Sequence, residues 1–237
     1  MSGRRIYLNI RHKLSQLLNP ALCVSCAIPI PSTDFLCRHC QKALPRVANA
    51  CNLCGLPNKA SGPVCPVCQQ NPPRWQLMIA PLIYQQTVRQ LIHDYKFNQQ
   101  LYIGQALLTH IHTAYSSSSI EALIPVPLHQ SRLLERGFNQ SEELARILSR
   151  LLDIPLDRQS LQRIRPTLPQ SGLSLSKRHK NLLQAFRYDP HRDYRRVAII
   201  DDVITTGSTM EEICKRLHQA GVRHVEVWSL CRALKHD

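Results

Sequence analysis

Four evenly spaced cysteine pairs constrain this chain more than any other feature of its sequence. Eight of its ten cysteines occur as Cys-x-x-Cys, and the first members of successive pairs are 14 residues apart. The pairs are Cys23/Cys26, Cys37/Cys40, Cys51/Cys54 and Cys65/Cys68. Each pair can present two sulfurs to one ion from a tight turn, and two such turns complete a tetrahedron. The simplest arrangement puts the first four cysteines on one Zn²⁺ and the last four on another, with an interleaved pairing left open.

Two other uses of these cysteines fit the sequence less well. Disulfides need an oxidising compartment, and the basic N-terminal segment lacks the continuous apolar core of a secretory signal. Iron–sulfur clusters prefer other spacings. We therefore expect a cytoplasmic protein with a double zinc ribbon over residues 21–71, in which Gly55 adopts positive φ after its knuckle. Four thiolates leave no open metal position, so both zinc ions should be structural. Whether the ribbon also contacts nucleic acid or protein is left open.

The chain is strongly basic. Its 30 Lys and Arg against 16 Asp and Glu give a formal net charge of +14, which two zinc ions on eight thiolates would lower to about +10. A basic surface suits nucleic acid and pyrophosphorylated sugars alike. Apolar residues at helical spacing in residues 1–20 predict a short basic amphipathic helix that packs on the protein or contacts a membrane or partner. No run of apolar residues is long enough to predict a transmembrane span.

Prolines at the end of the cysteine repeat predict a module boundary near residue 72, followed by a larger domain over residues 72–237. Within this domain, strands are predicted at 77–84, 122–126, 161–164, 197–200 and 222–230. Helices are predicted at 87–95, 101–115, 141–152 and 209–220, with loops at 116–119, 127–139 and 165–180. This alternation predicts an α/β fold, a parallel sheet with helices on both faces.

One segment carries the chemistry. Asp201 and Asp202 follow a β-branched strand, at the end where open α/β sheets bind ligands. Five small residues come next, here called the 205–209 loop: Thr205, Thr206, Gly207, Ser208 and Thr209. Gly207 permits positive φ, so successive N–H groups and the following helix N-terminus can converge on one phosphate. The two aspartates would then accept hydrogen bonds from ribose hydroxyls or hold Mg²⁺. Neither GxxxxGK[ST] nor GxGxxG is present.

This segment resembles the ribose-phosphate loop of type I phosphoribosyltransferases. Further features are similar to the ComF/GntX family of competence-associated proteins, over roughly residues 20–232. They are the double zinc ribbon, Lys96 between Tyr95 and Phe97, the run 124–129 leading to Arg132, the segment 136–140, and the segment 167–181 with Arg178, followed by Ala185 and Phe186.

The resemblance implies a role for each matching position. Asp201 and Asp202 would contact the ribose of phosphoribosyl pyrophosphate, bound with Mg²⁺, and the 205–209 loop would hold its 5-phosphate. Arg132 and Arg136 would pair with the pyrophosphate, because guanidinium groups match phosphate oxygens bidentately. A mobile loop carrying Arg178, together with Arg163, Arg165, Lys177 and Lys180, would cover the pyrophosphate. Lys96 is a further candidate in the same site.

Three functions fit this sequence. The family resemblance favours a DNA-uptake protein that handles single-stranded DNA in the cytosol and has a phosphoribosyl pyrophosphate site. A catalytic phosphoribosyltransferase is the second, although residues 74–115 show no constellation that would read an acceptor base. The third is an adaptor whose zinc ribbon docks onto a helicase or transport protein, and a protein of the competence machinery is another candidate partner. An aromatic content of 5% implies that phosphate contacts would dominate any DNA binding.

Overall fold

The structure is a computed structural model that describes residues 21–31, 34–115, 119–165 and 184–234. The amphipathic helix expected in residues 1–20 and the basic loop with Arg178 lie outside these described residues. Two compact units make up the chain, Met1–Leu44 and Pro45–Asp237. The first four repeat cysteines belong to the smaller unit and the last four to the larger one.

The smaller unit contains one short hairpin and one short helix. Strand β1 (Ala21–Leu22) pairs antiparallel with β2 (Pro29–Ile30), and helix α1 spans Arg38–Ala43. Cys37 caps this helix, since its sulfur accepts a hydrogen bond from the Cys40 N–H at 3.4 Å. The cap and the hairpin bring the two cysteine pairs of this unit together.

Helices and strands alternate through most of the larger unit. In chain order its elements are α2 (Pro66–Gln70), β3 (Leu77–Ile79), β4 (Leu82–Ile83), α3 (Gln86–Phe97), α4 (Tyr102–Ile111), β5 (Ala122–Pro125), α5 (Gln130–Arg136), α6 (Gln140–Leu152), β6 (Leu161–Arg163), β7 (Phe186–Tyr188), β8 (Arg196–Ile204), α7 (Ser208–Gln219) and β9 (His224–Arg232). A single turn of 3₁₀ helix, His112–Ala114, follows α4.

A five-stranded parallel sheet forms the centre of this unit. Its order is β3–β9–β8–β5, and β4 pairs further along β9. Val197 of β8 lies between Val225 of β9 and Ala122 of β5, and every strand pair is parallel. The expectation of a parallel α/β sheet is therefore confirmed. The strand expected at 77–84 is two short strands, because Pro81 between them has no N–H for a ladder.

Both faces of the sheet are covered. On one face, Val197, Ile199 and Val227 form a core with Ile213 of α7 and Phe186 of the antiparallel β6–β7 hairpin. The opposite face packs against α6, with α4 next to α6 and α3 next to α4. Buried Leu144, Ala145 and Leu148 give α6 its apolar side. Among the described residues, no helix is both long and apolar enough to cross a membrane.

Three local predictions were wrong. Helix α5 lies in the segment expected to be a loop; it buries none of its residues, so it carries no apolar periodicity. Strand β7 was also not expected. Strand β8 continues to Ile204 rather than ending at Ile200, so Asp201 and Asp202 lie inside it. Because β5 ends opposite Ile200, the last residues of β8 have a strand neighbour on the β9 side only.

Candidate functional site

A cavity of about 260 Å³ opens where β8 extends beyond the end of β5. Its walls come from β8 and the start of α7, the start of α6, helix α5, strand β6 and the end of α3. The lining residues are Tyr84, Lys96, Val126, Leu128, Arg132, Arg136, Gln140, Ser141, Arg163 and all of residues 201–210. Of the site residues expected outside the zinc ribbon, Lys96, Arg132, Arg136, Arg163, Asp201, Asp202 and the 205–209 loop line this cavity. Arg165 is described but does not line it, and Lys177, Arg178 and Lys180 lie outside the described residues.

The 205–209 loop turns sharply into α7. Gly207 has φ +83° and is the N-cap residue of the helix, a conformation that other residues adopt only with strain. A Cβ at this position would also lie 3.2 Å from the ring of Trp75. The hydroxyls of Thr206 and Ser208 lie 2.9 Å apart. Since the first N–H groups of a helix have no partner within it, the loop and α7 offer amides as well as hydroxyls to an anion.

Two adjacent carboxylates form the floor of the cavity. Asp201 Oδ1 accepts hydrogen bonds from Ser141 Oγ at 2.8 Å and from the Asp202 N–H at 2.9 Å. Asp202 is only 3% exposed and forms an ion pair with Lys96. Burial and the neighbouring charge of Asp202 raise the pKa of Asp201 to about 7. Burial opposes the charge of Lys96, but Asp202 outweighs it and holds the Lys96 pKa above its ordinary value.

Arginines line the other side of the cavity. The Arg136 guanidinium lies 4.9 Å from the ring centre of Phe97, and that of Arg163 lies 5.5 Å from the ring centre of Phe186. Burial and the charge of Arg132 lower the pKa of Arg163 to about 10. Burial also lowers the pKa of Arg136. The cavity thus gathers more cationic than anionic groups, and an anion bound there would offset their mutual repulsion.

Sequence reasoning missed the contribution of α6. Asn139 caps this helix, accepting from the Ser141 N–H at 3.1 Å, and its amide donates to the Val126 carbonyl at 3.1 Å. These bonds fix the first turn of α6 beside the end of β5, so Ser141 reaches Asp201. The signal in the sequence was the Asn before an amphipathic helix. Arg163 was expected in a mobile loop over the pyrophosphate; it lies instead at the end of strand β6, which pairs with β7, and it lines the cavity.

Both cysteine groups fit a tetrahedral metal. In each group the four sulfurs lie within 4.8 Å of one another, and the groups are sequential rather than interleaved. The Cys26–Cys37 and Cys54–Cys65 sulfur separations are 3.8 and 3.9 Å. A Zn–S bond of about 2.3 Å gives tetrahedral edges of about 3.8 Å. The structure therefore supports two structural zinc sites.

The two sites also repeat each other in detail. The Cys37 N–H donates to Cys23 Sγ at 3.3 Å, and the Cys65 N–H donates to Cys51 Sγ at 3.3 Å. Ala27 and Gly55, one residue after the first Cys-x-x-Cys of each site, have φ of +58° and +67°. The expectation of positive φ at Gly55 is confirmed.

Comparisons with known proteins cover both parts of the chain. Residues 138–236 match the family model for a phosphoribosyl transferase domain, and residues 14–70 match that for a double zinc ribbon domain. The DNA utilization protein YhgH of Escherichia coli O157:H7 is 37% identical over 223 residues, which are 91% of this chain and 98% of that protein. Competence protein F of Haemophilus influenzae is 38% identical over 208 residues, 84% of this chain and 90% of that protein. A crystal structure of a purine phosphoribosyltransferase from Pyrococcus horikoshii is similar at 16% identity and a TM-score of 0.30, over 60% of this chain and 84% of that one.

Proposed function

Because this chain belongs to the ComF family of competence-associated proteins, we propose that it binds phosphoribosyl pyrophosphate in its cavity and handles single-stranded DNA in the cytosol during DNA uptake. One observation carries the ligand assignment. A hydroxyl-rich loop at a helix N-terminus, two carboxylates and four cationic side chains line the same cavity of about 260 Å³.

Each chemical group of phosphoribosyl pyrophosphate would face cavity residues of matching charge or hydrogen-bonding character. The 5-phosphate would lie on the 205–209 loop, where amides and the helix N-terminus favour negative charge. Asp201 and Asp202 would accept hydrogen bonds from the ribose hydroxyls. Arg132, Arg136 and Arg163 would face the pyrophosphate, whose oxygens suit guanidinium donors.

Magnesium fits the same cavity. Its preferred ligands are carboxylate and phosphate oxygens, and the aspartate pair supplies carboxylates beside the place proposed for the sugar. Asp201 and Asp202 would hold the ion together with the ligand, and the bound ion would offset pyrophosphate charge. This chain's own residues would orient the sugar between the loop and the arginines.

The DNA role has separate support. Relatives that span nearly all of this chain carry the names DNA utilization protein and competence protein, and the net charge of +14 suits a polyanion. A protein of the competence machinery, such as a helicase, is the partner that fits this role. The double zinc ribbon offers a second surface for such a partner.

Catalysis is the second candidate, and the arginines beside the acid pair favour it. In ribosyl transfer the bond from the anomeric carbon to pyrophosphate breaks while a nitrogen nucleophile bonds to that carbon and loses its proton. Arg132, Arg136 and Arg163 would stabilise the departing pyrophosphate. Incubating the protein with magnesium, the sugar and a panel of bases or DNA distinguishes these functions, since pyrophosphate release with one acceptor indicates an enzyme.

Calorimetry tests the ligand assignment directly. We expect wild-type protein to bind phosphoribosyl pyrophosphate with Mg²⁺, and Asp201→Ala combined with Asp202→Ala to abolish binding. Asp189→Ala combined with Asp193→Ala is the matched control, because both of these acids are exposed outside the cavity. Equal affinity in the wild type and the Asp201/Asp202 variant would refute the assignment.

A further inference from the structure

Arg232, the last residue of β9, is a buried arginine held by main-chain carbonyls. It is 4% exposed. Its Nε donates to the Cys54 carbonyl at 2.7 Å, and its Nη1 donates to the carbonyls of Ile204 at 2.9 Å and of Thr205. A further bond of 3.2 Å reaches the carbonyl of the neighbouring Ala233. Its partners among the described residues include no carboxylate, although a buried guanidinium ordinarily pairs with one.

The second cysteine group supplies the missing negative charge. Four thiolates outweigh one Zn²⁺, so the centre formed by Cys51, Cys54, Cys65 and Cys68 is net anionic when loaded. Burial lowers the pKa of Arg232, while Cys54 and Cys68 favour its charged form. The side chain therefore links the metal centre to the loop that begins at Thr205.

Two neighbouring contacts join the same parts. Three consecutive carbonyls of the zinc knuckle, those of Asn52, Leu53 and Cys54, accept hydrogen bonds from the larger unit's sheet region. The Met78 N–H donates to Asn52 at 2.7 Å, and Trp75 Nε1 donates to Leu53 at 2.6 Å. The Trp75 ring also lies against Gly207, 3.2 Å from the place of a Cβ.

The geometry of the peptide unit turns these contacts into an effect on the loop. In a planar trans peptide, the C=O and the following N–H point in opposite directions. Arg232 holds the carbonyls of Ile204 and Thr205 on its own side. The N–H groups of Thr205 and Thr206 are thereby directed to the other side of the chain, and both of these residues line the cavity.

We propose that Arg232 is a positioning residue for the 205–209 loop, and that zinc in the Cys51/Cys54/Cys65/Cys68 site holds Arg232 in place. This inference rests on the proposed phosphate site and adds that the second zinc controls its affinity without touching the ligand. The first zinc site, formed by Cys23, Cys26, Cys37 and Cys40, belongs to the other compact unit and serves as the internal comparison.

Two ligands separate positioning from general loss of structure. Ribose 5-phosphate reports on the 205–209 loop, and pyrophosphate reports on the arginine side. Arg232→Lys keeps the charge but loses the fork that reaches both Cys54 and the loop. We expect this variant to lower the affinity for ribose 5-phosphate about tenfold, as for one lost hydrogen bond, and to leave the affinity for pyrophosphate unchanged. Trp75→Phe, which keeps an aromatic side chain but deletes the indole N–H bond to Leu53, should give a smaller effect in the same direction.

Paired cysteine variants test the role of the metal. Cys65→Ser with Cys68→Ser removes the second zinc, and Cys37→Ser with Cys40→Ser removes the first from matching positions of the repeat. Each variant should retain one zinc per chain by elemental analysis. Only the Cys65/Cys68 variant should lose ribose 5-phosphate affinity while retaining pyrophosphate affinity. Melting curves by circular dichroism confirm that the measured proteins are folded.

The outcomes are distinct. Wild-type affinity for ribose 5-phosphate in both Arg232→Lys and the Cys65/Cys68 variant would overturn the proposal. An equal fall in the affinities for both ligands would also overturn it. So would an equal loss of ribose 5-phosphate affinity in the two cysteine variants, because either result indicates general destabilisation. If wild-type protein binds neither ligand, the proposed function itself fails and this inference falls with it.

Discussion

The ionised Asp201 that ligand binding would use is also a cost to the stability of the folded protein. Asp201 lies beside the buried carboxylate of Asp202, and burial together with that charge raises its pKa from 3.8 to about 7. Between these two pKa values, the folded protein therefore holds a proton on Asp201 that the unfolded chain releases. Its contribution to stability is present below the unfolded pKa and is lost as pH rises through the folded pKa.

Replacing this carboxyl tests the linkage. Asp201→Asn should raise the melting temperature relative to wild type more at pH 8 than at pH 4, because wild-type Asp201 is ionised only at the higher pH. The same variant should lose affinity for phosphoribosyl pyrophosphate. Thermal unfolding at both pH values measures the first effect, with exposed Asp189→Asn as control. A difference in melting temperature that does not change with pH would count against the raised pKa.

Gly55 and Ala27 offer a matched pair in the two zinc knuckles. Both have positive φ, but a Cβ on Gly55 would lie 3.0 Å from Met78 Sδ. We expect Gly55→Ala to destabilise the protein by about 1–3 kcal/mol through backbone strain and this clash, and Ala27→Gly to be neutral or stabilising. Urea unfolding measures both. An Ala27→Gly variant less stable than Gly55→Ala would contradict this account.

Sequence patterns predicted those helices and strands whose formation depends on residues close to one another in the chain. The apolar spacing of α6, the alternation of strands and helices and the cysteine repeat each predict their element locally. They failed where contacts between residues far apart in the chain determine the bounds of an element. Strand β8 continues past Asp201 and Asp202 because its pairing with β9 continues to Ile204. Lys96, on α3, compensates the buried charge of Asp202. Helix α5 is capped by His129 and Gly137 and buries none of its residues, so no apolar periodicity indicates it.

The α3–β8 ion pair gives a prediction for stability. Lys96→Met should destabilise the protein by about 3 kcal/mol or more, because it leaves Asp202 buried without a counter-charge. Adding Asp202→Asn removes that charge, so the double variant should be more stable than Lys96→Met alone. Urea unfolding of both variants and the wild type decides this. Additive losses would show that the two side chains do not compensate each other.

Across the whole molecule, the sequence predicted the α/β class and most of the cavity lining, since β8 and α7 carry the acids and the loop as neighbours. The resemblance placed Arg163 in a mobile loop, whereas the β6–β7 pairing holds it in a strand. The sequence did not predict that Ser141 joins the acids and the loop, because the capping of α6 places this residue. Nor did the cysteine spacing reveal that the second zinc knuckle bonds to Arg232. That contact joins residues 178 positions apart.

Net charge gives a prediction for the intact protein. Since +14 is the formal charge, binding to single-stranded DNA should release counterions and weaken steeply with salt. The logarithm of the binding constant should fall with the logarithm of salt concentration, by about 0.7 per phosphate contacted. Fluorescence anisotropy with a labelled oligonucleotide measures this slope. Affinity that hardly changes between low and moderate salt would refute an electrostatic interface.

We propose that the 205–209 loop holds the 5-phosphate of phosphoribosyl pyrophosphate beside Asp201 and Asp202. A crystal structure of the protein grown with this sugar and Mg²⁺ tests it most directly. We expect the 5-phosphate on the amides and hydroxyls of the loop, the ribose at the aspartates and the pyrophosphate towards Arg132, Arg136 and Arg163. A sugar bound outside this cavity, or one with its 5-phosphate on the arginines, would contradict it.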